Sequence, residues 1–97
     1  MIFGNNFERT GFRKFKLKID KERYTLLHDY FGERYSFRKH VDERWDEVEV
    51  TCVPQAIESW ALQCSDYVEV LSPDELRDSI HKKCQNLLER YNSYTEN

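Results

Sequence analysis

From Lys14 to Ile19 the chain alternates, with Phe15, Leu17 and Ile19 on one side and Lys14, Lys16 and Lys18 on the other. A period of two predicts a strand with one buried face. The period then lengthens. Asp20 is placed to cap a helix, and Tyr24, Leu27 and Phe31 recur at helical spacing. Leu26 and Tyr30 widen that stripe, and Gly32 supplies the stop. A second strand follows from Tyr35 to His40, with Tyr35 and Phe37 on one face and Ser36, Arg38 and His40 opposite. Asp42 to Asp46 reads as the hairpin turn, with Trp45 folding back onto the sheet. Val48, Val50 and Cys52 then line one side of a third strand, and Glu47, Glu49 and Thr51 the other.

Pro54 opens a second helix whose apolar stripe is Ile57, Trp60, Ala61 and Cys64. Ser65-Asp66 turns the chain into a fourth strand, Val68 to Leu71. The last helix has the best-marked start. Ser72 stands at the cap, Pro73 at the first helical position, and Glu75 completes a capping box, with Leu71 and Leu76 spaced as a staple. Its stripe of Leu76, Ile80, Cys84, Leu87 and Tyr91 is expected to be buried, either over the edge of its own sheet or under a second copy of the chain.

Strand, helix, strand, strand, helix, strand, joined by right-handed crossovers, give an α+β fold. It is a ferredoxin-like βαββαβ sandwich with a four-stranded antiparallel sheet plus an extra C-terminal helix. The first strand should lie in the middle, flanked by the third and fourth. The domain is expected over residues 14–91, after a linker or N-terminal arm (1–13) whose Phe3, Phe7 and Phe12 dock on some apolar surface, and before a flexible tail (92–97).

Composition agrees with one globular domain: 97 residues, 39% hydrophobic and 34% charged, with only three glycines and two prolines. No apolar run suits a membrane span or a signal peptide, so a cytoplasmic location is expected and no membrane partner. Net charge is −3, unevenly spread. Met1–Arg44 holds eleven Lys/Arg against seven Asp/Glu, a balance of +4, and Trp45–Asn97 carries −7. That asymmetry suggests complementary faces or a basic surface for an anionic partner.

No catalytic motif is present: there is no phosphate-cradling glycine loop, G-x-S-x-G or H-E-x-x-H. Asp20-Lys21-Glu22 stands where acylphosphatase-type enzymes of this fold place their anion loop. An enzyme is therefore not expected, and an acylphosphatase-like hydrolase is the weakest reading. Cys52, Cys64 and Cys84 all fall on apolar stripes, as reduced core cysteines do. A zinc site built from them with His81 lacks any paired-ligand motif, so no metal or cofactor is expected. His28, at the edge of its stripe, is expected to be partly buried and hydrogen-bonded.

The sheet face away from the helices holds the candidate chemistry. Lys14, Lys16 and Lys18 should face Glu47 and Glu49 on one side and Glu69 on the other. Such a face is either a ladder of solvated ion pairs or a ligand site. In the second reading Lys16, Lys18, Arg38 and His40 bind a small anion, a nucleotide or a single strand. The strand aromatics mostly point to the helix side, which argues against an RNA-recognition stacking platform.

From Phe15 to about Tyr91 the chain resembles the C-terminal extension (WCX) domain of bacterial WYL-type transcriptional regulators. The resemblance is carried by FKLKI, YTLLHDYFGE and above all IESWALQCSDYVEVLSPDELRDSI. Trp60, Leu62, Val68, Val70, Leu71, Pro73 and Leu76 fit the family pattern. Cys64 stands where an aromatic is usual, and Ser65 where glycine is. The resemblance implies a non-catalytic regulatory domain that assists homodimerisation and effector response. Duplex DNA would then be contacted only through an N-terminal helix-turn-helix outside this chain, and most ligand residues would lie in a central barrel also outside it. A stand-alone anionic-ligand or oligomerisation module is the alternative.

Overall fold

The computed structural model describes residues 11–95. The elements run β1 (Arg13–Asp20), α1 (Tyr24–Phe31), β2 (Tyr35–His40), β3 (Trp45–Cys52), α2 (Pro54–Gln63), β4 (Val68–Ser72) and α3 (Asp74–Thr95). The sheet order is β2-β3-β1-β4 with every neighbouring pair antiparallel. This is the ferredoxin-like arrangement expected, with β1 central.

Alternation along the strands decides which face is dry. Phe15, Leu17, Ile19, Val48, Val50, Cys52, Val68 and Val70 are buried, while Lys16, Lys18, Glu47 and Glu49 on the reverse are only half-buried. Leu27 and Phe31 of α1, Ile57, Trp60 and Ala61 of α2, and Leu76 of α3 close the core. Each buried Val, Leu, Ile or Phe side chain among them contributes roughly 1.5–3 kcal/mol on burial. Phe31 meets Trp60 edge-on at 4.9 Å, and Tyr30, itself half in solvent, stacks on the same indole at 5.8 Å. Gly32 ends α1 at φ 62°, a conformation that favours glycine, and its N–H donates to the His28 carbonyl.

Several expectations are corrected. Asp20 does not cap α1. It is the last residue of β1, and its Oδ1 accepts the Glu22 N–H at 2.9 Å, closing a tight turn before the helix begins. His28 is exposed, because an eight-residue helix buries only Leu27 and Phe31. The hairpin turn closes by Arg44, and Trp45 and Asp46 are already in β3. Ser72 is held in the sheet opposite Lys16, so it belongs to β4. The Pro73 carbonyl, not a Ser72 cap, receives the first bonds of α3 from Leu76 and Arg77. The helix also continues to Thr95, past the start expected for a tail.

Within one chain, the stripe of α3 is covered only in part. Leu76 is buried and Ile80 half-buried, but Cys84, Leu87 and Tyr91 are exposed, as is Leu88. The first turns are anchored to the body. Arg77 Nη1 donates to the Val70 carbonyl at 2.6 Å, Ser79 Oγ donates to Glu58, and Lys83 lies 3.2 Å from the same carboxylate. Among the described residues no body lies beneath the later turns, because a rise of about 1.5 Å per residue carries the helix beyond the short edge strand β4. Cys84 is thus not a core cysteine, whereas burial raises the Cys52 thiol to about 11. No helix in the described residues is long and apolar enough to cross a membrane. Of the expected arm, Phe12 is half-buried with the Arg34 guanidinium 5.2 Å over its ring; Phe3 and Phe7 lie outside the described residues.

Candidate functional site

β1 and β3 set the geometry of the helix-free face, since their register places Lys16 opposite Glu49 and Lys18 opposite Glu47. The ladder forms only in part. Lys18 Nζ reaches across to Glu69 at 3.2 Å and sits 5.2 Å from the Trp45 ring centre. Glu69 is shared with Arg77 at 3.1 Å; burial works to raise its carboxyl, but the hydrogen bonds from Arg77 and Lys18 outweigh that and hold it below the usual range. Glu47 pairs with Arg38 at 3.3 Å and not with Lys18. Lys14 and Lys16 have no ion-pair partner among the described residues.

The four candidate ligand residues therefore divide. Lys16, Lys18 and Arg38 share the helix-free face, two of them already engaged by carboxylates. His40 does not join them. A β-bulge between Phe37 and Lys39 inserts an extra residue, so that Phe37 faces Val48, Lys39 faces Glu47 and His40 faces Asp46. Because side chains alternate, that one residue moves His40 to the helix side of the sheet. A cleft of about 520 Å³ opens between β1 and the starts of α2 and α3, lined by Arg13, Phe15, Glu58 and Leu76 among others. None of the four lines it.

On the helix side His40 meets a residue that the sequence reading had assigned to a turn. Asp46 is 5% exposed, the sole buried charged residue among those described. Its Oδ1 accepts from His40 Nδ1 at 2.7 Å and its Oδ2 from the Tyr24 hydroxyl at 2.7 Å, with Lys21 Nζ 3.9 Å away. Burial alone would raise the Asp46 carboxyl, but the His40 and Tyr24 hydrogen bonds with the nearby Lys21 charge hold it below the usual range. Burial, followed by the bond to Asp46, raises the Tyr24 phenol. The cluster ties the β2–β3 hairpin to α1. A signal was available: Asp46 continues the series Val48, Val50, Cys52 with a period of two.

A second junction was also missed. Arg44 Nε donates to Asp20 Oδ2 at 3.0 Å and Nη2 to the Asp66 carbonyl at 2.8 Å, while its guanidinium lies 4.4 Å over the Trp45 ring. It pins the hairpin turn to the end of β1 and to the turn between α2 and β4. No group of three or more His, Cys, Asp or Glu placed to hold a metal occurs among the described residues.

The fold and its surface define a small α+β domain with a mixed-charge sheet face and a helix that outruns its body. The chain belongs to the WCX domain family, whose sequence profile matches residues 12–88. The match spans all four strands, both covering helices and most of α3. Neither the comparison with curated proteins nor that with solved structures gives a match.

Proposed function

We propose that this chain is the non-catalytic C-terminal regulatory domain of a WYL-type helix-turn-helix transcriptional regulator, and that it assists homodimerisation and effector response. Membership of the WCX family supports the regulatory reading. The observation that carries the dimerisation is the second half of α3. Leu87 and Tyr91 prolong the docked stripe of Leu76 and Ile80, yet Leu88 and Tyr91 are each 60% exposed. Uncovered apolar side chains in line along one helix form a contact surface, and a second copy supplies an identical one. The patch is small against the roughly 1,600 Å² of a standard interface, so its role is to reinforce contacts made elsewhere in the intact regulator.

In the intact regulator, Leu88→Glu with Tyr91→Glu should shift the dimer toward monomer in analytical ultracentrifugation. Both side chains are already in solvent, so folding should be unaffected. A dimer as tight as the parent's would remove α3 from the account.

The turn after β1 is unsuited to the anion loop of an acylphosphatase-type hydrolase. The Glu22 N–H, which an anion loop would offer to substrate, is occupied by Asp20. That oxygen already carries negative charge where a phosphate would need donors.

A second reading keeps the helix-free face as an anion site, favoured by Lys14 and Lys16, which have no ion-pair partner among the described residues. Lys16→Glu with Lys18→Glu should then weaken binding of nucleotides or short single strands at least tenfold by fluorescence titration, given two reversed charges. Binding equal to the parent's would leave this face a solvated ion-pair surface.

A further inference from the structure

The two edges of the sheet are treated differently. Beyond β4, the Arg77 guanidinium occupies the Val70 carbonyl, and α3 lies alongside. Beyond β2, no strand pairs among the described residues. The Arg34 carbonyl accepts the Thr51 N–H at 3.0 Å, so Arg34 points its backbone inward to β3. By alternation, Tyr35 and Phe37 direct their N–H and C=O groups outward. Five of the six β2 residues are exposed, Phe37 among them at 49%, and Val41 just beyond is 44% exposed.

Charge selects what can pair there. From Arg34 to His40 the chain holds Arg34, Arg38 and Lys39 and no acid. Lys39 has no ion-pair partner among the described residues. A second copy's β2 is equally basic and is repelled, which is how charged edges prevent self-association. An acidic strand meets the opposite response.

The inner edge of β2 shows which pattern fits. There β3 places Val48 opposite Phe37 on the helix side and Glu47 opposite Lys39 on the other, with Glu47 bound to Arg38. A strand on the outer edge has its side chains in the same phase.

We infer that the outer edge of β2 is a docking site for an extended acidic segment of a partner protein, alternating carboxylate and branched apolar residues, added as a fifth strand. Tyr35 and Phe37 supply the backbone bonds, and Phe37, on the helix side, receives an apolar side chain. Lys39 receives the carboxylates. Strand addition of this kind draws affinity from main-chain bonds and specificity from alternate side chains. The site is independent of the dimer contact on α3, which lies beyond the opposite edge of the sheet.

The test is titration of the isotope-labelled chain with a blocked Glu-Val-Glu-Val-Glu-Val peptide, followed by amide NMR. The amide signals of Tyr35 and Phe37 should move, and the matching Lys-Val peptide should leave them still. Lys39→Glu should weaken the Glu-Val peptide roughly fivefold or more. Phe37→Pro should abolish binding while keeping the inner ladder, because its N–H faces outward; unchanged β3 and β1 signals would verify that the variant is folded. Three results would overturn the inference. These are still Tyr35 and Phe37 signals, equal response to the Lys-Val peptide, and an oligothymidylate that displaces the Glu-Val peptide from this edge.

Discussion

Leu17→Ala should lower the stability of the chain by about 3–5 kcal/mol, the range for emptying a fully buried leucine site. Leu17 is 0% exposed and lies in the central strand, between Val48 of β3 and Val70 of β4. Nothing near it can collapse into the space without breaking two ladders. For a domain of this size total stability is about 5–15 kcal/mol, so the variant should sit near the threshold of folding. Its thermal midpoint should fall by about 15 °C or more. Lys16→Ala, one residue away on the other face, should cost no more than about 0.5 kcal/mol. Urea unfolding of both variants measures the contrast. Equal losses would mean that β1 is buried on both faces and that the sheet has no open side.

Asp46→Ala should be the most damaging polar substitution, at about 2–3 kcal/mol. It removes the acceptor of both the His40 and Tyr24 bonds and leaves the half-buried Tyr24 hydroxyl without its partner. Asp46→Asn keeps an acceptor for Tyr24 and should lose about half as much. The pH dependence has a definite sign. The folded carboxyl lies below its reference value of 3.8, so its stabilisation is complete above that pH and is lost as pH falls through the folded value. The parent chain should therefore lose stability on acidification below about pH 4 more steeply than Asp46→Asn. Stability measured by urea unfolding at successive pH values decides this. Parallel curves would show that Asp46 contributes nothing through its charge. Lowered carboxyls at Glu58 and Glu69 steepen both curves alike.

The loss should also be local before it is global. With Asp46 removed, the β2–β3 hairpin keeps its ladder but loses its tie to α1. Amide exchange should accelerate first in β2 and at the start of α1.

Much of the fold was legible because burial here follows period. Phe15, Leu17 and Ile19 could only face the helices, and Gly32 and Pro54 mark an end and a start whose backbone demands are local. The candidate site was legible only in part. Lys16, Lys18 and Arg38 do share a face, but His40 was assigned to it by simple alternation, which a single inserted residue reverses. A bulge leaves no composition signal in RYSFRKH. Asp46 went unrecognised for the opposite reason: its period was right, but a carboxylate next to Glu47 and two residues from Arg44 suggests solvent. Only the arrival of His40, Tyr24 and Lys21 from other parts of the chain makes its burial tolerable.

α3 marks the boundary between the two kinds of knowledge. Its amphipathic stripe is a property of the sequence and runs unbroken from Leu76 to Tyr91. How much of that stripe finds a body depends on the length of β4 and the placement of α2, neither of which the helix itself encodes. The sequence by itself determined element order, the dry faces of β1, β3 and β4, and the family. Tertiary structure alone decided where β2 slips, which carboxylate is buried, and which half of the last helix is left in water. Periodicity reports a residue's direction from its own backbone, whereas burial and pairing depend on what another part of the chain brings to meet it.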